Sequence, residues 1–102
     1  MKSAVIEGML KEELARNERM IKRYQAELDS LPKGTIVKRI INTDEYYYLN
    51  YRENKKVISK YLGKADAFNL DDLEKQIKKR QDIIKILRKL KIEEKELKKI
   101  LS

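Results

Sequence analysis

Cysteine, histidine and tryptophan are absent from this chain, and proline occurs once. Without Cys or His there is no disulfide, no thiol nucleophile, no imidazole acid or base, and none of the common zinc ligand sets. The expectation is therefore a protein that is not an enzyme and that holds no cofactor and no metal. Long apolar runs are missing too. No stretch approaches the roughly 20 apolar residues of a membrane span, and the opening Met1 to Leu10 is interrupted by Glu7 and lacks a small-residue cleavage site. The expected location is the cytoplasm, with no membrane partner.

What the chain has is charge. Its 102 residues include 25 Lys or Arg and 17 Asp or Glu, a formal net charge of +8, with 41% apolar and 41% charged residues. That composition is too apolar for a disordered tail and too charged to surround a thick core, so one small, helix-rich domain over residues 1–102 is expected. The charge is unevenly spread. Residues 1–32 carry 6 basic and 6 acidic groups, residues 33–64 carry 8 and 3, and residues 65–102 carry 11 and 8. A second basic zone follows from Lys75 to Lys91, where the only acid is Asp82.

Two segments have helical periodicity. Leu10, Leu14, Asn17, Ile21, Tyr24, Leu28 and Leu31 recur at alternating steps of four and three, a coiled-coil seam within a helix expected over residues 4–31. Asn17 is the polar member of that seam. It can be a partly solvated position, the expected case, or a residue that fixes register. Pro32 with Lys33-Gly34 stops the helix. A second helix, expected over residues 69–101, opens with Asn69-Leu70-Asp71-Asp72, an acceptor and two carboxylates suited to a helix N-terminus. Its seam runs Leu73, Ile77, Arg80, Ile84, Leu87 and, after a shift of one position, Leu90, Glu94, Leu97, Leu101. Antiparallel pairing would put Leu28 near Leu73, Ile21 near Arg80 and Leu14 near Leu87.

Residues 34–64 change period. Three runs rich in β-branched and aromatic residues, Thr35–Ile41, Glu45–Arg52 and Lys56–Leu62, are separated by Asn42-Thr43-Asp44 and Glu53-Asn54-Lys55, which predicts a three-stranded antiparallel meander. The fold class expected is α+β, a long antiparallel helical hairpin of coiled-coil type with the meander inserted. With two-residue turns, Ile36, Lys38, Ile40, Tyr47, Leu49, Tyr51, Ile58, Lys60 and Leu62 share the face that packs. Val37, Arg39, Ile41, Tyr46, Tyr48, Asn50, Arg52, Val57, Ser59 and Tyr61 share the other.

That second face mixes Tyr46, Tyr48 and Tyr61 with Arg39, Arg52 and Asn50 in the most basic segment. Arg and Asn can read base edges in a DNA major groove, tyrosines can stack on unpaired bases, and Lys55, Lys56 and Lys60 can hold phosphates. On the second helix Lys75, Lys78, Lys85 and Lys89 fall on one outward stripe that suits a phosphate backbone. The same residues also have purely structural readings: tyrosines pair across strands, and lysines solvate edges and helix faces.

Leu31-Pro32-Lys33-Gly34-Thr35-Ile36, with Tyr46-Tyr47-Tyr48-Leu49-Asn50-Tyr51-Arg52-Glu53 and Lys56-Val57-Ile58-Ser59-Lys60-Tyr61-Leu62-Gly63-Lys64, resembles small bacterial and archaeal proteins with the pattern PKG-[ST]-[IV], YYYLxYRE, KVxSKYLGK. The hairpin also looks like strand pairs in the N-terminal regions of some transposases and, more loosely, like the arm-binding domains of tyrosine integrases. The latter resemblance implies DNA binding through a three-stranded sheet, with Arg39, Asn50, Arg52 and Lys55 as contact candidates. The function expected is a small nucleic-acid-binding protein, with DNA preferred to RNA. The alternative is a non-catalytic interaction or assembly module, a homodimer or partner-protein binder acting through the helical seam, such as an accessory or inhibitor protein of a mobile element.

Overall fold

In the computed structural model, which describes residues 3–102, the elements follow in the order α1 (Ala4–Asp29), β1 (Thr35–Ile41), β2 (Asp44–Glu53), β3 (Lys56–Lys64) and α2 (Asp71–Leu101). The chain is α+β, with two helices that pack against each other and a three-stranded antiparallel meander of strand order β1-β2-β3. It divides into two compact units. One contains α1 and residues 81–102, the other residues 31–80, and α2 contributes to both.

The helical unit is built on the seam of α1. Ser3 caps the helix by accepting from the Ile6 amide at 3.3 Å, and Glu7 lies in the first turn. Leu31 is not helical although its apolar spacing extends the seam, because the ring of Pro32 excludes α geometry from the residue before it. The core consists of Ile83, Leu87 and Leu90 from α2 together with Asn17 from α1. Asn17 is only 2% exposed, so the expectation of a partly solvated residue is overturned. Its Nδ2 donates to the Leu90 carbonyl at 3.0 Å, while Oδ1 is buried without a partner.

This bond also corrects the pairing of the helices. With Leu14 beside Leu87, Asn17 would face Ile84, yet it reaches Leu90. Part of the difference is the tilt of a helical side chain toward its own N-terminus. Separately, the buried stripe of α2 takes Ile83 at 3% exposure where the seam was expected to take Ile84. The one-position shift in the apolar pattern thus comes before Ile83 rather than after Leu87.

The second unit centres on Leu49, its most buried side chain. Leu49 shares a sheet face with the partly buried Ile36, Tyr47, Tyr51 and Ile58, as the alternation predicts. Both hairpins turn through two residues with positive φ, Asn42 (50°) with Thr43 (75°) and Asn54 (50°) with Lys55 (66°). These are the dihedral signs of the tight turns whose twist matches that of the strands. Asn suits the first position, but Thr43 and Lys55 stand where glycine is ordinarily preferred.

Two glycines are required by close approach. A Cβ on Gly34, at φ +129°, would lie 2.5 Å from the Asn50 carbonyl oxygen, and one on Gly63, at φ +155°, would lie 3.2 Å from Phe68. Gly63 accompanies a departure from the expected register. Tyr48 is opposite Tyr61, but Tyr47 is opposite Gly63 and Tyr46 opposite Lys64, so Leu62 is an extra residue in β3. The placement of Leu62 in regular alternation is therefore corrected, and Lys64 joins the Tyr46 face. Beyond the bulge the ladder continues as the Ala65 amide donates to the Glu45 carbonyl at 2.8 Å. Helix α2 then begins two residues later than expected, with Asn69 Oδ1 accepting from the Asp71 amide at 2.9 Å.

Three substitutions test these points by thermal denaturation followed by circular dichroism. Asn17→Leu removes the orphaned oxygen and should stabilise the chain by about 1 kcal/mol, a rise of about 4–8 °C in Tm; a fall would show that the bond to Leu90 outweighs the unpaired Oδ1. Gly34→Ala should cost about 1–3 kcal/mol through the clash with Asn50 and its positive φ. Thr43→Gly should stabilise by about 1 kcal/mol by relieving the left-handed conformation.

Candidate nucleic-acid interface

The face of the sheet opposite Leu49 is formed by alternate residues of the three strands. Register places Thr35, Asn50 and Ser59 in one row across it, Val37, Tyr48 and Tyr61 in the next, then Arg39, Tyr46 and Lys64. Arg52 opposite Val57 extends the face at one end, and Ile41 opposite Asp44 extends it at the other. Arg39, Tyr46, Tyr48, Asn50, Arg52 and Tyr61 are thus brought together as the strand alternation predicts.

Rings and polar groups on this face hold one another. Tyr61 meets Tyr48 edge-on, with centroids 5.5 Å apart and planes at 63°, and meets Tyr46 in a tilted arrangement at 6.2 Å and 50°. Tyr61 is directly opposite Tyr48, and Tyr46 is its diagonal neighbour on the same face, within reach of a ring. The guanidinium of Arg39 lies 4.6 Å from the centroid of Tyr48, within cation–π range. From there its Nη2 donates to Ser59 Oγ at 3.2 Å, and the Ser59 hydroxyl donates to Asn50 Oδ1. A polar chain crosses all three strands in this way, with one member from each.

The remaining candidates are distributed differently. Lys55 occupies the tip of the β2–β3 turn, beside Arg52. Lys56 is opposite Glu53 and Lys60 opposite Leu49, which places both on the other face of the sheet, away from the tyrosines. All four helix lysines are exposed, but Lys75 and Lys78 belong to the unit that contains the sheet, whereas Lys85 and Lys89 belong to the helical unit. Lys64, which the sequence reading left out, is on the tyrosine face and pairs with Asp44 at 3.5 Å. Asp44 first and Asp66 second hold its ammonium above the usual lysine range. The bulge is what puts it there, and only the Gly63 next to it hinted at an irregular strand.

A second cationic feature was hidden by the zero net charge of residues 1–32. Arg16, Arg19 and Arg23, with Met20, line a shallow depression on α1. Arg16 bonds Glu13 at 3.0 Å, and Arg23 stacks on Tyr24 at 5.3 Å. Spacing by three and four would have revealed this stripe where a segment total did not. Among the described residues no group of His, Cys, Asp or Glu is arranged to hold a metal ion, and no helix is long and apolar enough to cross a membrane.

Ser59→Ala tests the polar chain, since it removes the shared hydroxyl and releases Arg39 and Asn50 together. The expected loss of stability is about 1 kcal/mol. Side-chain NMR signals of both Arg39 and Asn50 should shift, whereas independent side chains would leave one of them unmoved.

No curated protein and no solved structure matches the chain. A family does: the one described as Domain of unknown function (DUF6788) matches residues 10–75, which run from α1 through the whole meander into the first turns of α2. The match covers more than half of the 102 residues, and the chain belongs to that family.

Proposed function

We propose that this chain is a non-catalytic nucleic-acid-binding protein, with DNA preferred to RNA, and that it binds through the open face of its meander. One observation carries the reading: Arg39, Tyr46, Tyr48, Tyr61 and Arg52 converge on a single exposed sheet face in the segment with 8 basic and 3 acidic residues. Cations beside ring faces suit the two parts of a nucleotide, phosphate and base. Lys55 at the turn tip and the lysines of α2 supply further phosphate contacts in this reading, while Lys56 and Lys60, on the opposite face, act only through the general field.

The alternative, assembly of copies or partners through the helical seam, is supported by the orphaned Oδ1 of Asn17, because polar seam residues can select a partner. Against it stands the occupation of the Asn17 site by Leu90 of the same chain. A partner would have to displace α2 from α1.

Fluorescence anisotropy with labelled oligonucleotides tests the proposal. Binding is expected at low salt and should weaken by about a thousandfold or more between ~50 and ~200 mM salt if about 6 to 8 phosphates are contacted. Arg52→Ala should weaken it uniformly across sequences. Absence of binding to any nucleic acid at low salt overturns the proposal, and a concentration-dependent dimer in ultracentrifugation together with that absence would favour the seam.

A further inference from the structure

We infer that the tyrosine face takes unpaired bases, so that the ligand is a single strand rather than a duplex; this rests on the nucleic-acid reading above and narrows it. Two of the three side chains that would read a duplex groove, Arg39 and Asn50, are already engaged with each other through Ser59, which leaves Arg52 alone for that task. Arg39 has its guanidinium against Tyr48 and an Nη2 donating to Ser59, and Asn50 Oδ1 accepts from that same hydroxyl. Bidentate recognition of guanine needs a free guanidinium edge, and recognition of adenine needs both ends of an amide. Groove reading by these two would require the polar chain to be dismantled first.

What the face leaves open is ring and apolar surface. Tyr61 is 55% exposed, Val57 64% and Ile41 48%, and all three lie on this face. A duplex keeps its base faces stacked inside and presents only phosphates, sugars and groove edges, so it offers no π-face to these rings. An unpaired base has a π-face for Tyr61, and Tyr48 and Tyr46 fix that ring in advance, so little side-chain freedom remains to be lost on binding. Arg52, two rows from Tyr61 on the same face, and Lys55 at the turn beyond it supply cations for a backbone that runs along the strands. A second copy of the sheet is a poor occupant, because Arg39 and Arg52 would confront the same two cations, Lys64 being paired with Asp44.

Anisotropy of the full chain with a labelled thymidine 20-mer, and with a duplex of the same length at the same salt, decides the matter. The single strand should bind at least about tenfold tighter, and Tyr61→Ala should weaken it about tenfold with little effect on any duplex binding, while Tyr61→Phe keeps the affinity. Tyrosine emission should be quenched by the strand in the parent chain. Tyr61→Leu, which keeps apolar bulk on β3 but no ring, asks the same question if the alanine variant loses its circular dichroism spectrum. Equal or tighter duplex binding, or a single-strand affinity indifferent to Tyr61, overturns the inference and leaves the nucleic-acid reading standing. Failure of both oligonucleotides to bind at low salt overturns both.

Discussion

The hydroxyl of Ser59 determines how the open face of the sheet is organised. Ser59 is on an edge strand and exposed, yet it accepts from Arg39 of the other edge strand and donates to Asn50 of the central one. A long cationic side chain is thereby drawn flat across β2 and onto the ring of Tyr48. Held this way, Arg39 forms part of a surface and is no longer a free charge on a tether, which lowers the entropy lost when something lies on it. The tyrosines are fixed by the same economy of short contacts, ring edge against ring face. Every member of this layer comes from alternate positions of three short strands, so its existence depends on register. The bulge at Leu62 brings Lys64 to the side of Tyr46, where Asp44 pairs with it.

In the helical unit the corresponding constraint is Asn17. A leucine there would have continued an ordinary apolar seam. The amide instead ties α1 to the Leu90 carbonyl and leaves an oxygen without a partner, which sets one alignment of the helices apart from its neighbours. Polar seam residues of this kind give up stability in exchange for register. Around them the exposed helix surfaces carry pairs such as Lys11 with Glu7 at 3.3 Å and Lys98 with Glu94 at 3.9 Å, which contribute little to stability individually.

Periods of 3.6 and 2 are properties of residue order, and for that reason both helices, all three strands and the two sheet faces could be read from the sequence. The turn lengths were legible through Asn42 and Asn54, whose tolerance of positive φ marks tight hairpins. Three things were not legible. The burial of Asn17 depends on what faces it, and its spacing alone is the same for a solvated residue. The face that α2 turns inward depends on whether Ile83 or Ile84 enters the core, and with isoleucine at both positions the apolar pattern fits either one. The bulge depends on Gly63 and on the close approach of Phe68, a contact made after β3 has ended. As for the candidate site, the alternation put Arg39, Asn50 and the tyrosines on one face but treated Arg39 and Asn50 as free to contact DNA; Ser59 is directly opposite Asn50, whereas its bond to Arg39 runs diagonally across two strands and leaves no local signature.

The open face is also where a purely structural account fails first. Cross-strand pairing explains Tyr48 beside Tyr61, a gain of roughly 0.2–1 kcal/mol for such a pair. It does not explain why Val57 and Ile41 remain exposed on the same side of a sheet whose stability depends on Leu49 and its neighbours on the other. In a chain with 41% charged residues, polar replacements at those two positions would keep the strands and improve solubility. Lysines hold the opposite edge positions at Lys56 and Lys60, so the sheet does use charge where only solvent is met. Ile40, 68% exposed, lies on the Leu49 face, so apolar exposure is common to both sides and what sets the open face apart is its cluster of rings. Asp44 neutralises Lys64 at one end of that face, so its unpaired charge is that of Arg39 and Arg52, and in the reading proposed above the rings between them serve the bases of a polyanion.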